Sequence, residues 1–170
     1  MAESKYDKML AVAEKFNDAF HECFGSGNSM LEKLKPFMTQ EALFNTMDKV
    51  PVTQCRWSDG KSGSFPEIAA HFDESWGKMV KSVKLDPITY VVSPTNNRVL
   101  ILATNNADLG AAQFKSNLCW ELVMDDECKI VCWNGHWNNT DEKMHEALQA
   151  IGAPVPKPDF DHGTVSTDTH

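Results

Sequence analysis

The chain has 170 residues, 42% of them hydrophobic and 24% charged, with a formal net charge of -8. That length suits one domain with its own core, and no apolar run reaches the roughly eighteen residues that span a bilayer. An acidic balance with scattered Lys and Arg repels phosphate backbones, so neither a membrane nor a nucleic acid is expected as a partner.

The opening MAESKYDK is charged and lacks the apolar run of a secretory leader. The five cysteines (Cys23, Cys55, Cys119, Cys128, Cys132) are odd in number and contain no C-x-x-C pair. Both features predict a reducing, cytoplasmic setting in which the thiols pack as small apolar groups. Met9, Val12, Ala13, Phe16, Ala19, Phe20, Cys23 and Phe24 recur at three- and four-residue steps, predicting a long helix that stops at Gly25-Ser26-Gly27. Asn28 or Ser29 caps a shorter helix carrying Met30, Leu31 and Leu34, and Pro36 marks its end. QEALFNTM then reads as a short strand. Residues 49 to 64, with the Ser58-Asp59-Gly60 turn, predict an irregular connection whose one large apolar side chain is Trp57.

Ser64-Phe65-Pro66-Glu67 is a capping box, followed at helical spacing by Ile68, Phe72, Trp76 and Met79. From residue 82 the pattern becomes VKLDPITYVV, RVLILATNNA, FKSNLCWELVM and KIVCWNGHW, four strands whose tight connections predict an antiparallel meander. Asn139 or Thr140 caps a last helix bearing Met144, Ala147, Leu148 and Ile151. A domain over residues 1–152 is therefore expected, with 153–170 as a flexible, proline-containing tail. The order of elements predicts an α+β fold, a curved antiparallel sheet wrapped as a cone around the long N-terminal helix.

AVAEKFNDAFHECFGSGN, FPEIAAHFDESWGKM and DDECKIVCWNGHWNNTDEKMHEALQAIG together resemble the nuclear-transport-factor-2-like superfamily, in particular its SnoaL-like polyketide cyclase branch. The resemblance spans about residues 5 to 152. It implies a conical fold with a largely apolar cavity and a homodimer through the outer sheet face. Members of the superfamily include isomerases, cyclases, dehydratases, hydrolases and noncatalytic scaffolds, so fold alone selects no reaction.

Strand side chains alternate between faces, which divides the last strand into Val131, Trp133, Gly135 and Trp137 against Cys132, Asn134 and His136. Burying indoles is favourable and burying unpartnered amides is costly, so Trp133 and Trp137 are expected inside and His136 outside. The same parity sends Leu118, Trp120, Leu122 and Met124 inward and Cys119, Glu121 and Val123 outward. In the second meander strand both sets begin apolar; Leu100, Leu102, Thr104 and Asn106 are taken as the inward set, with the polar pair toward the mouth of the cone. The expected lining is Phe16, Phe20, Trp57, Phe72, Trp76, Leu102, Thr104, Trp120, Trp133 and Trp137.

The resemblance sets the superfamily's isomerase tyrosine at Phe16, its base near Asn45 and its protonated aspartate at Trp120, none of which supplies the needed proton chemistry. SnoaL-like cyclases use an aspartate and a histidine on late strands, for which Asp108, Glu121 and His136 are the nearest counterparts. Any proton transfer would fall to Asn45, Asp48, His71, Asn106, Asp108 or His136. No Cys or His cluster has metal-ligand spacing and no phosphate loop is present, so no metal or cofactor is implied. Two functions are expected from these features. One is binding of a small aromatic or polycyclic molecule in the cone, with isomerase-, cyclase- or dehydratase-type proton transfer as the reaction class. The other is a noncatalytic homodimeric module whose outer face carries Val99, Ile101, Cys119, Glu121, Val123, Asn134 and His136.

Overall fold

The structure, a computed structural model, describes residues 3–46, 62–74, 76–137, 146, 149 and 150; the side chains of Thr46, Ser62, His71, Trp76, His136 and Trp137 lie outside that description. Helix α1 (Lys5–His21) starts where the Ser4 hydroxyl accepts the Asp7 backbone N–H at 3.1 Å, and its buried face carries Met9, Ala13, Phe16, Asn17 and Phe20. A short α2 (Met30–Leu34) passes through a 3-10 turn (Lys35–Phe37) into β1 (Met38–Thr46). The Pro36 ring suits that turn, since it needs no N–H there.

After β2 (Ser62–Ser64) come α3 (Phe65–Glu74) and α4 (Trp76–Met79). The Ser64 hydroxyl donates to the Glu67 carboxylate at 2.7 Å, so the predicted capping pair meets through its side chains. The meander follows as β3 (Ser82–Ser93), β4 (Arg98–Asp108), β5 (Gln113–Met124) and β6 (Ile130–Trp137). Glu146, Gln149 and Ala150 are helical. The rest of the expected last helix, the tail and residues 47–61 lie outside the described residues.

The six strands form one curved sheet in the order β2-β1-β6-β5-β4-β3. The expected antiparallel meander is present, but β1 enters beside β6 in parallel, so the sheet is mixed. A parallel neighbour requires a long crossover, which the chain between β1 and β6 supplies. Helix α1 packs across β3 and β4 on the inner face. Its end is held close to the start of β3 at Gly25, where φ is 68° and a Cβ would stand 2.1 Å from the Lys81 carbonyl oxygen. Among the described residues no helix is long and apolar enough to cross a membrane.

Candidate functional site: the interior beneath the long helix

Along β5 the buried positions are Phe114, Ser116, Leu118, Trp120, Leu122 and Met124, a strict alternation. Register carries this parity to β6: Trp133 pairs with Leu122, Gly135 with Trp120, and Trp137 with Leu118, while His136 pairs with outward Cys119. Trp120 and Trp133 are fully buried with ring centroids 5.0 Å apart. Helix α1 sets Phe16 against Trp133 at 5.2 Å and Phe20 against Trp120 at 4.7 Å, both edge-to-face. Phe44 from β1 and Phe72 from α3 complete the cluster, at 4.2 Å from Trp133 and 6.2 Å from Phe20. Edge-to-face packing lets each ring's positive edge meet a negative face, so the rings fill this part of the interior by contacting one another.

The parity taken for β4 is reversed. Ile101 pairs with Trp120, Val99 with Leu122 and Asn105 with Ser116, so the inward set is Val99, Ile101, Ala103, Asn105 and Ala107. Leu102, Thr104 and Asn106 point outward. Leu102 and Thr104 instead line a shallow outer groove of about 280 Å³, together with Pro87, Thr89 and Asn117. The Asn106 amide nitrogen lies 3.1 to 3.2 Å from the Lys84, Asp86 and Thr104 carbonyl oxygens, bracing the register shift between Leu85 and Ile88. Val99 and Ile101, assigned to the outer face from sequence, belong to the core.

The other described candidates for proton transfer also serve the backbone or the outer face. Asp108 accepts the Gly110 N–H at 2.7 Å and shapes the β4–β5 turn. Asn45 stands beside exposed Leu43 on the outward parity of β1, donating to Asn134 Oδ1 at 2.8 Å. Asp48 and Trp57 lie outside the described residues. For His71, Trp76, His136 and Trp137 only the backbone is described.

The polar side chains that are inside were not singled out from sequence. Asn17, Asn105 and Ser116 are 6%, 8% and 4% exposed, and Asn17 Oδ1, Asn105 Oδ1 and Ser116 Oγ have no hydrogen-bond partner among the described residues. Trp133 Nε1 is likewise buried without one. Asn17 hydrogen-bonds the Tyr90 phenol, whose pKa burial pushes up to about 12, with Glu14 and Asp18 adding to the rise. His21, one turn further along α1, accepts the Leu85 N–H at Nε2 (3.2 Å). Burial lowers its pKa against the opposing pull of Asp18, so it is a neutral imidazole fixed in one tautomer. Ser116 was within reach of sequence reasoning, since it is two residues before Leu118 on the set already placed inward.

No protein-family model matches the sequence, and no curated protein does. Solved structures do. BvnE pinacolase from Penicillium brevicompactum aligns with a TM-score of 0.67 and 8% identity, over 89% of this chain and 96% of that one. A putative polyketide cyclase from Xanthomonas campestris pv. campestris aligns at 0.63 and 11%, over 84% and 98%. A nuclear-transport-factor-2-like protein from Anabaena variabilis aligns at 0.63 and 14%, again over 84% and 98%. The chain has the nuclear-transport-factor-2-like fold. At these identities the likeness establishes architecture alone.

The outer face of this nuclear-transport-factor-2-like sheet carries a polar chain across four strands. Arg98 pairs with Glu121, Asn134 donates to the other Glu121 oxygen at 2.7 Å, and Asn45 donates to Asn134. Around it stand Leu43, Val91 and Leu102, exposed by 45%, 47% and 42%. Cys119 and Cys132 share this face, and burial followed by the charge of Glu121 raises both thiol pKa values.

Proposed function

We propose that the chain binds a small, largely apolar molecule in the interior between α1 and the inner sheet face. The observation that carries this reading is a pair of buried side-chain oxygens on facing strand positions, Asn105 Oδ1 and Ser116 Oγ, which have no hydrogen-bond partner among the described residues. Leaving such a group unpaired costs about 1–3 kcal/mol, a cost that a bound molecule removes. Ser116, Leu118 and Trp120 are successive inward positions of β5, so a ligand at Ser116 would lie beside the aromatic cluster, whose Trp120 stands roughly 13 Å along the strand. The likeness to a pinacolase and to a putative polyketide cyclase supports a small organic molecule as the occupant. Among the described candidates for proton transfer, Asn45, Asn106 and Asp108 are engaged elsewhere, which supports binding as the reading. Titration with naphthalene and 2-naphthol, followed through the indole N–H resonances of Trp120 and Trp133, tests it. Saturable shifts are expected; shifts for neither compound remove the reading.

A second reading, compatible with the first, is a homodimer through the outer sheet face. Exposed Leu43, Val91 and Leu102 around the Arg98–Glu121–Asn134–Asn45 chain support it, since an apolar surface edged by polar groups suits a self-complementary interface. Sedimentation at micromolar concentration is expected to give a dimer that Leu102→Glu dissociates. A monomeric wild-type chain would end this version.

A further inference from the structure

We infer that the polar end of the interior takes a neutral ligand presenting hydroxyl or enol hydrogen-bond donors and rejects carboxylates, an inference that rests on the ligand-binding reading above. Asn105 and Ser116 are direct register partners on β4 and β5, which sets their Cβ atoms about 4.5–5.5 Å apart on one face. Both side-chain oxygens are buried and have no hydrogen-bond partner among the described residues. Both atoms accept hydrogen bonds. The Ser116 hydroxyl can also donate, so one ligand hydroxyl can accept from Ser116 while donating to Asn105.

Charge decides against an anion. Among the described residues the buried polar side chains are Asn17, Asn105 and Ser116, with no Lys or Arg among them. Lys81, Lys84 and Lys115, the basic residues flanking this end of the sheet, are exposed to solvent. His21 offers no cation, because its Nε2 is occupied in accepting the Leu85 N–H. A carboxylate here would lose its hydration and find the Ser116 hydroxyl but no cation among the described buried side chains, a loss larger than one neutral donor returns. Trp133 Nε1, an unpartnered donor, belongs to the other end. Its register partner Leu122 pairs with Val99, roughly 20 Å along β4 from Asn105.

The test is a calorimetric comparison of three probes on one ring system: naphthalene, 2-naphthol and 2-naphthoate at pH 7. We expect 2-naphthol to bind about tenfold more tightly than naphthalene, and 2-naphthoate no more tightly than naphthalene. Ser116→Ala and Asn105→Leu should each shrink the ratio of 2-naphthol to naphthalene affinity toward one. If 2-naphthoate equals or exceeds 2-naphthol, if 2-naphthol gains nothing over naphthalene, or if folded variants keep the full preference, the inference is overturned and the binding reading survives. If no probe binds, both fall. Should a variant fail to fold, the three-probe comparison on the wild-type chain decides alone.

Discussion

The Asp73 carboxylate accepts the backbone N–H of Met30 at 2.8 Å, so a side chain on α3 caps a helix that ended about forty residues earlier. The Ser29 hydroxyl, read from sequence as a possible cap, makes no bond to the helix and donates instead to Asp73 at 2.6 Å. Replacing Asp73 with Ala removes both bonds and frees α2 from α3. A loss of about 1–2 kcal/mol is expected from the shift in urea midpoint, with Asp73→Asn recovering part of it. An unchanged midpoint for the Ala variant would refute the capping role.

Asn106 illustrates a candidate for chemistry that the fold employs as a brace. Its amide holds the Lys84 carbonyl before the β3 irregularity and the Asp86 carbonyl within it. Asn106→Ala should therefore cost about 1 kcal/mol of stability and leave 2-naphthol affinity as it was. A variant of wild-type stability with altered affinity would return Asn106 to the binding site.

His21 makes stability depend on acidity. Its folded-state pKa lies below the ordinary 6.5, so the unfolded chain takes up the proton more readily. Its stabilising contribution is complete above about pH 6.5 and is lost as pH falls through that value toward the folded pKa. Thermal midpoints measured between pH 8 and 5 should fall more steeply for wild type than for His21→Gln, whose amide oxygen can still accept the Leu85 N–H. Parallel curves would show that His21 does not titrate in this way.

Gly25 and Gly27 provide a matched pair. Both have positive φ, 68° and 73°, but a Cβ at Gly25 meets the Lys81 carbonyl whereas one at Gly27 meets nothing within 4 Å. Alanine at Gly27 should cost about 1 kcal/mol from backbone strain, and alanine at Gly25 roughly 1–3 kcal/mol more because β3 must also move. Equal melting temperatures for the two variants would contradict the close approach.

Much of the architecture was legible because its signals were redundant. Strand β5 alternates Trp120 and Leu122 with Glu121, so its faces declare themselves, and the stripe from Met9 to Phe24 admits one helical face. Strand β4 carries Val99 and Ile101 on one parity and Leu100 and Leu102 on the other, so composition alone leaves the choice open. Pairing of Ile101 with Trp120 decides it, and register is a property of two strands rather than one. The interior amides were missed for a related reason: Asn17 occupies an apolar stripe, and Asn105 shares a strand with two other asparagine and threonine candidates that face the opposite way. The parallel entry of β1 was hidden because nothing in QEALFNTM identifies which edge of the meander it will join.

That single parallel contact also sets a folding order. The meander closes by short reversals between neighbouring strands, whereas Asn45 must find Asn134 across 89 residues. Loop-closure entropy rises with that separation and is recovered only after the hairpins present a finished edge, so β1 is expected to dock last. Pulse-labelled refolding should protect the amides of Ile101 and Trp120 before that of Phe44, and simultaneous protection would exclude a late-arriving strand.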